Sequence, residues 1–390
     1  MKLSVIGLGQ CGCNIADAFF KINTYAQSFF HRRIEILTDA FAINTDEADL
    51  GGFGNIPKDR QHRILIGNMS GFGHGVGKIN TDAFGIIKNS HQIVMDTILS
   101  SRKFHEGDAI LVVAGGGGGS GSGFIGYLVK TLKEKVDKPV YAIVVLPFLF
   151  EEGGDVSYAV INTATCIKTV DRYADGLILI DNERYRKTGL DMRQTYQKIN
   201  EEIAGTFFDL CCAGEERNTK YLGSKIIDAG DIRQSIDGLT AIGRGEVALP
   251  SFRWTQSQYK GVIVDQSSTF GALKAAVSGA SVNFQFGDAR KILMLASAPK
   301  GVISTSIMEE MSNWLNSKAP KAIVRLGDYP RRSSEIVVSM ISSRLTSVPR
   351  LEEIYVRAEK QIANKIEIDR GTVEKITLMS ALSRALPTLD

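Results

Sequence analysis

A chain of 390 residues with 44% hydrophobic and 23% charged residues has the length and composition of about two globular domains. A net charge of +3, with no run of five basic residues, excludes a strong nucleic-acid field, and no apolar stretch reaches the ~18 residues of a membrane helix. The five cysteines are odd in number and point to the cytoplasm rather than to a disulfide framework.

In chain order, Leu3-Ser4-Val5-Ile6 predicts a strand that opens the chain too early for a signal peptide. Gly7-Leu8-Gly9-Gln10-Cys11-Gly12 follows, then a helix through Ile15, Ala16 and Phe19. This is G-x-G-x-x-G between strand and helix, a context that brings backbone N–H groups to phosphate. Cys11-Gly12-Cys13 has no second Cys or His pair at metal-binding spacing, and His31, His62, His74, His91 and His105 are scattered. Phe41-Ala42-Ile43 predicts a second strand ending in Asn44-Thr45-Asp46. Asp46 suits a ribose or the cap of a short helix Glu47-Ala48-Asp49-Leu50. Ile64-Leu65-Ile66 predicts a third strand, leading to the glycine-rich Gly71-Phe72-Gly73-His74-Gly75-Val76-Gly77.

The strongest local signal comes next. Ala109-Ile110-Leu111-Val112-Val113-Ala114 runs into Gly115-Gly116-Gly117-Gly118-Gly119-Ser120-Gly121-Ser122-Gly123, where seven of nine residues are glycine. Phe124, Leu128, Leu132 and Val136 then mark one face of a helix. Strand, glycine loop and helix N-terminus together form an anion site, with the Ser120 and Ser122 hydroxyls as further donors. A flexible linker would not sit between two periodic apolar segments. The loop lacks the lysine of a Walker A motif.

Pro139 to Leu146 predicts a buried parallel strand, followed by Pro147-Phe148-Leu149-Phe150-Glu151-Glu152-Gly153-Gly154. Leu177-Ile178-Leu179-Ile180 ends in Asp181-Asn182-Glu183-Arg184, where Asn182 is either a turn residue or a carboxamide offering both donor and acceptor. Asp191-Met192-Arg193-Gln194 reads as a capping box. It opens a long helix on Met192, Tyr196, Ile199, Ile203, Phe207 and Leu210, stopping at Gly214. Asn200 lies on its packing side and needs a partner. Asp228 and Asp231 follow a polar turn, and two such acids ordinarily cap a helix. From about Tyr259 the composition predicts strands at Gly261–Val264, Ile292–Leu295, Ala322–Leu326 and Glu335–Ile341. Helices lie around Leu273-Lys274-Ala275-Ala276, through Ile307 to Leu315, and from Leu351 to Ala363, with helical spacing continuing at Ile376, Met379 and Leu382.

Gly117-Gly118-Gly119-Ser120-Gly121-Ser122-Gly123 resembles the GGGTGTG signature of the tubulin/FtsZ superfamily, with Ser at both Thr positions. Gln10-Cys11-Gly12 resembles the tubulin form of the first loop. Asn55-Ile56-Pro57-Lys58-Asp59 and Gly73-His74-Gly75-Val76-Gly77 resemble the archaeal CetZ branch. The resemblance spans roughly residues 1 to 345. It implies a two-domain tubulin/FtsZ-like α/β fold, with a Rossmann-like parallel sheet, a long central helix and a smaller C-terminal α/β domain. The expected ranges are 1–190 for nucleotide binding, 191–214 for the central helix, 215–258 for the acidic loop and a connecting helix region, 259–345 for the second domain and 346–390 for a helical extension.

It also implies GTP or GDP with Mg2+. The phosphate side would comprise Gly9, Gln10, Cys11, Asn44, Asp46, Gly75 and Gly117 to Gly123, with Glu152 on the ribose and Glu151 close behind. Asn14, Asn182 and Asn200 would read guanine. No side chain would ligate the metal directly, Asp46 being the one candidate. FtsZ carries an arginine soon after its ribose acid, where this chain has Asp155-Val156-Ser157. Asp228 and Asp231 would act on the nucleotide of the next subunit. The implied protein is a cytoplasmic GTPase assembling head to tail, with a role in cell shape, with no nucleic acid or membrane insertion, and with room for an adaptor. The alternatives are an NAD-dependent Rossmann oxidoreductase, which the second glycine loop argues against, and a nucleotide switch that does not polymerise.

Overall fold

The computed structural model describes residues 1–28, 33–67, 76–154, 156–186, 191–219, 221–249, 266–331 and 333–384. The predicted strand at 261–264 lies outside them.

Strands β1 (Leu3–Leu8), β2 (Leu37–Asn44), β3 (Arg63–Leu65), β4 (Ala109–Gly115), β5 (Val140–Leu146) and β6 (Gly176–Asp181) pair in parallel, in the order β3-β2-β1-β4-β5-β6. Helices α1 (Gly9–Gln27), α2 (Glu47–Gly51), α3 (Asn80–Leu99), α4 (Ser120–Lys135) and α5 (Tyr158–Asp171) connect them. The central strands are apolar without alternation because both faces are covered. Along β4, Ile110, Val112 and Ala114 enter one core with α3, α4 and α5, while Ala109, Leu111 and Val113 enter the other with α1.

The second core is closed by α6 (Met192–Glu215), capped at its start as the sequence predicts. The Asp191 carboxylate accepts from Gln194 N at 2.7 Å, and Asp191 N donates to Gln194 Oε1 at 3.2 Å. Ile199, Ile203, Phe207 and Leu210 face this core, and Phe207 meets Phe19 of α1 at 5.5 Å between ring centroids.

Beyond α6 come α7 (Ala229–Ser235), β7 (Gly238–Ala248), α8 (Gln266–Ser278), β8 (Lys291–Ala298), α9 (Thr305–Lys318), β9 (Ile323–Pro330), β10 (Glu335–Ser343) and α10 (Pro349–Arg384). The sequence reading contains neither β7 nor α3 nor α5, and treats the last helix as two stretches. Strand β7 is the hinge of the architecture. Three residue pairs, Gly176↔Gly238 to Ile178↔Thr240, join it to β6, and nine join it antiparallel to β10. One ten-stranded sheet therefore continues from the first domain into the second, ending β7-β10-β8-β9.

Candidate functional site

The C-terminal ends of β1, β2, β4, β5 and β6 open on one cavity of about 980 Å³. Ligands of open parallel sheets collect at that edge.

Its floor is made of two turns packed backbone against backbone. Gly9 has a φ of +65°, and a Cβ there would sit 2.8 Å from Gly121 N. A Cβ on Gly121 would sit 2.8 Å from Leu8 O. Both turns pass straight into helices, α1 at Gly9 and α4 at Ser120, three residues earlier than either glycine run ends. Neither helix has a side-chain cap or an acid in its first turn. Two helix starts with uncommitted N–H groups and partial positive charge thus share one cavity, an arrangement that takes an anion.

Of the predicted phosphate residues, Gly9, Gln10, Cys11, Asn44, Asp46, Gly117, Gly118, Gly119, Ser120 and Gly121 line this cavity. Gly118 has nothing within 4 Å of where a Cβ would stand, so its missing side chain leaves space rather than relieving strain. Ser120 Oγ pairs with Thr45 Oγ1 at 2.9 Å and ties the α4 turn to the end of β2. Burial pushes the Cys11 thiol up to about 12.

Ser122 and Gly123 do not line the cavity. The Ser122 hydroxyl is buried and donates to Gly118 O and, at 3.2 Å, to Gly119 O, the back-bonding of a serine within a helix. Gly123 serves packing instead, since a Cβ there would fall 2.4 Å from Asn80 O in α3. Asp46 realises its capping alternative, with Oδ1 accepting from Asp49 N at 3.1 Å, while remaining on the cavity wall. Gly75 lies outside the described residues.

The cavity wall also carries Asn14, Asn182, Asn200 and Tyr196. Asn14 Nδ2 donates to Gln10 O at 2.9 Å. Asn182 is buried, and its Oδ1 accepts from no donor. An unpaired buried carbonyl costs about 1–3 kcal/mol, a cost removed by a donor arriving in the cavity. The sequence reading misses Met192, Arg193, Tyr196 and Gln197, which line the cavity from α6. Met192 and Tyr196 had counted as core positions, yet they are 45% and 37% exposed. The Tyr196 ring stands edge-on to Phe148 at 5.6 Å, and partial burial together with Glu151 pushes its hydroxyl up to about 12.

Glu152 is a correction. It is 1% exposed and absent from the cavity wall, its carboxylate gripped by Arg350 and Arg357 of α10. Burial raises its carboxyl above the ordinary value, and the two guanidiniums oppose that shift. The neighbouring Glu151 lines the cavity, with Oε2 accepting from Phe148 N at 2.8 Å.

Asp228 and Asp231 lie elsewhere, as the capping box of α7. Asp228 Oδ1 accepts from Asp231 N at 2.8 Å, and Asp231 Oδ2 accepts from Asp228 N at 3.3 Å. Arg325 approaches Asp231 at 3.3 Å. A Cβ on Gly214, at the end of α6, would sit 3.5 Å from Ala229 N, whereas the cavity touches α6 from Met192 to Glu201. At 1.5 Å per residue the 24 residues of α6 span about 36 Å, so these carboxylates do not reach their own subunit's cavity. Among the described residues no group of three His, Cys, Asp or Glu side chains could hold a metal.

Residues 2–188 match the Tubulin/FtsZ family, GTPase domain, and residues 189–360 match the Tubulin-like CetZ, C-terminal domain. The chain is 32% identical over 371 residues to Tubulin-like protein CetZ1 of Haloferax volcanii, covering 91% of each. Its structure resembles CetZ1 from Haloferax volcanii, a GDP-bound monomer, with a TM-score of 0.77 at 30% identity over 94% of this chain and 100% of that one. It resembles CetZ2 of the same organism, a GTPgS-bound protofilament, with a TM-score of 0.78 at 28% identity over 94% and 99%.

Proposed function

Because the chain belongs to the tubulin/FtsZ family, on its CetZ branch, we propose that its cavity holds GTP or GDP and that it is a GTPase assembling head to tail into protofilaments. The observation that carries this reading is that two uncapped helix starts and the unpaired Asn182 Oδ1 share one cavity. A phosphate chain suits the first and a base bearing ring and exocyclic N–H groups suits the second. Asn200 and Asn14 flank the base, and Tyr196 offers a ring face or edge to it. Glu151, in place of Glu152, takes the ribose hydroxyls.

A bound triphosphate supplies a bond whose hydrolysis needs a positioned water. Asp228 and Asp231 of an adjoining subunit orient and polarise that water, since they are remote from their own cavity. A contact between unlike ends repeats without closing and gives a filament. Mg2+ enters with the phosphates, Asp46 and Asp49 being carboxylates already on the cavity wall. In this reading residues 1–190 and 259–345 are the two domains, joined by the central helix and the acidic segment. A cytoplasmic role in cell shape, through an adaptor still to be identified, completes the reading.

The test is nucleotide binding with sedimentation. The native protein should bind GTP at least ten-fold more tightly than ATP and pellet with GTP but not GDP. Equal affinity for ATP and GTP would overturn the assignment of the cavity.

A further inference from the structure

The turn Leu149–Glu152 lies between β5 and α5, and places Glu151 on the cavity wall with Glu152 directly behind it. A carboxylate that is 1% exposed must be paired. Its partners come from 198 and 205 residues further along the chain. Arg350 Nη2 meets Glu152 Oε1, Arg357 Nη1 meets Oε2, and Arg357 Nη2 donates to Glu152 O at 2.9 Å.

Arg350 is itself 8% exposed, and its Nε lies 4.0 Å from Asp181 Oδ2. Asp181 caps the turn Asn182–Tyr185, accepting from Glu183 N at 3.1 Å. That turn carries Asn182. The two turns are also stitched directly, Leu149 N donating to Glu183 Oε2 at 3.2 Å. The grip extends about three turns along α10, since Gln361 accepts from Ser157 N and donates to Gly154 O at 3.3 Å. Positions 350, 357 and 361 share one face of the helix.

We propose that Arg350 and Arg357 are positioning residues for the nucleotide site, setting through Glu152 and Asp181 the placement of Glu151 and Asn182 on the ribose and base side of the cavity. They do not line the cavity and act only through the two turns. The glycine turns at the phosphate end make no hydrogen bond to Arg350 or Arg357 among the described contacts, their tie being Asn162 of α5 to Gly117 O and Gly118 O. By reciprocity, a nucleotide that orders the two turns must also stabilise α10. This inference rests on the guanine-nucleotide reading of the cavity.

The test uses the full chain. Arg357 is the accessible member of the pair, its side chain 30% exposed, so Arg357→Ala should fold with Arg350 still in place. GDP affinity should fall about ten-fold, the scale of one lost charge-assisted hydrogen bond. The ratio of GDP to ADP affinity should fall with it, because the turns read the nucleoside, while competition by inorganic pyrophosphate should not change. Arg357→Lys should recover part of the loss, and adding Glu152→Gln to Arg357→Ala should lower GDP affinity further, because Arg350 also acts through Glu152. In the native protein, GDP should slow hydrogen exchange across residues 350–361. A folded Arg357→Ala variant with native GDP affinity and selectivity, or no GDP-dependent protection of that segment, overturns the proposal. A native protein that binds GDP no better than ADP overturns the guanine reading instead, and this inference with it.

Discussion

The two ends of α6 hold polar groups in opposite conditions. At its N-terminal end the cavity has unspent capacity: Asn182 Oδ1 is unpaired, two helix starts are uncapped, and Gly118 faces open space. At its C-terminal end Asp228 and Asp231 satisfy each other in a cap, with Arg325 beside them. Unsatisfied groups announce a ligand, whereas carboxylates proposed to act on a neighbour have the form of any helix cap.

Breaking the phosphate end gives the largest effect. Gly118→Val places its side chain in empty space, so the fold should survive while GTP affinity falls by more than about a hundred-fold. Circular dichroism with a nucleotide titration checks both halves of that statement. Gly12→Ala is the contrasting lesion, because its Cβ would sit 2.0 Å from Val113 O, and soluble folded protein should be lost before binding can be measured.

The other end should respond in turnover alone. Asp231→Asn keeps an acceptor for the cap, so the thermal midpoint and GTP affinity should hold while hydrolysis drops at least about ten-fold. Native turnover per subunit should rise with protein concentration. Constant turnover down to dilute monomer would rule out a site shared between subunits. Asn182→Ala should be milder, weakening GTP binding about ten-fold through one lost hydrogen-bond partner while leaving phosphate recognition intact.

A pH effect belonging to neither end sharpens the contrast. His62 lies between Asp39, at 3.2 Å, and Asp59, at 2.7 Å. Its hydrogen bond to Asp39, together with Asp59, raises the imidazole above 6.5 against the desolvation that lowers it. A raised folded value means its contribution is complete below the unfolded value and is lost as pH climbs through the folded one. As pH rises from 6 to 8 the native midpoint should fall, and His62→Gln should flatten the slope. GTP affinity should not follow that change.

The sequence carried the phosphate end well because glycine turns and a capping box are local. Asp191 and Gln194 act over three residues, and the β4–glycine–α4 unit is contiguous. What escaped was decided by distant backbone. Strand β7 contains Gly238, Gly243 and Gly245, which dilute any strand signal. A Cβ on Gly243 or Gly245 would sit 2.2 Å from Ala276 O or 2.1 Å from Ala272 O, so α8 lies directly on the strand's backbone. Helix α3 does show apolar residues at 83, 87, 94 and 98, a period that was present and unread. Met192 and Tyr196 kept helical spacing while facing a cavity, because periodicity marks a face and not what covers it. The partners of Glu152 had no sequence signal, being some two hundred residues away.

The length of α6 also sets the repeat of the proposed head-to-tail filament. If the acids of one subunit meet the nucleotide of the next, successive nucleotides are separated by the helix plus the small gap across the contact. With 24 residues in the helix, the axial repeat comes to roughly 40 Å. Electron micrographs of filaments should show a meridional layer line at that spacing, and its position should be indifferent to the loops decorating the filament's flanks. Lengthening the subunit's sides would thicken the polymer, but only a longer α6 would stretch it.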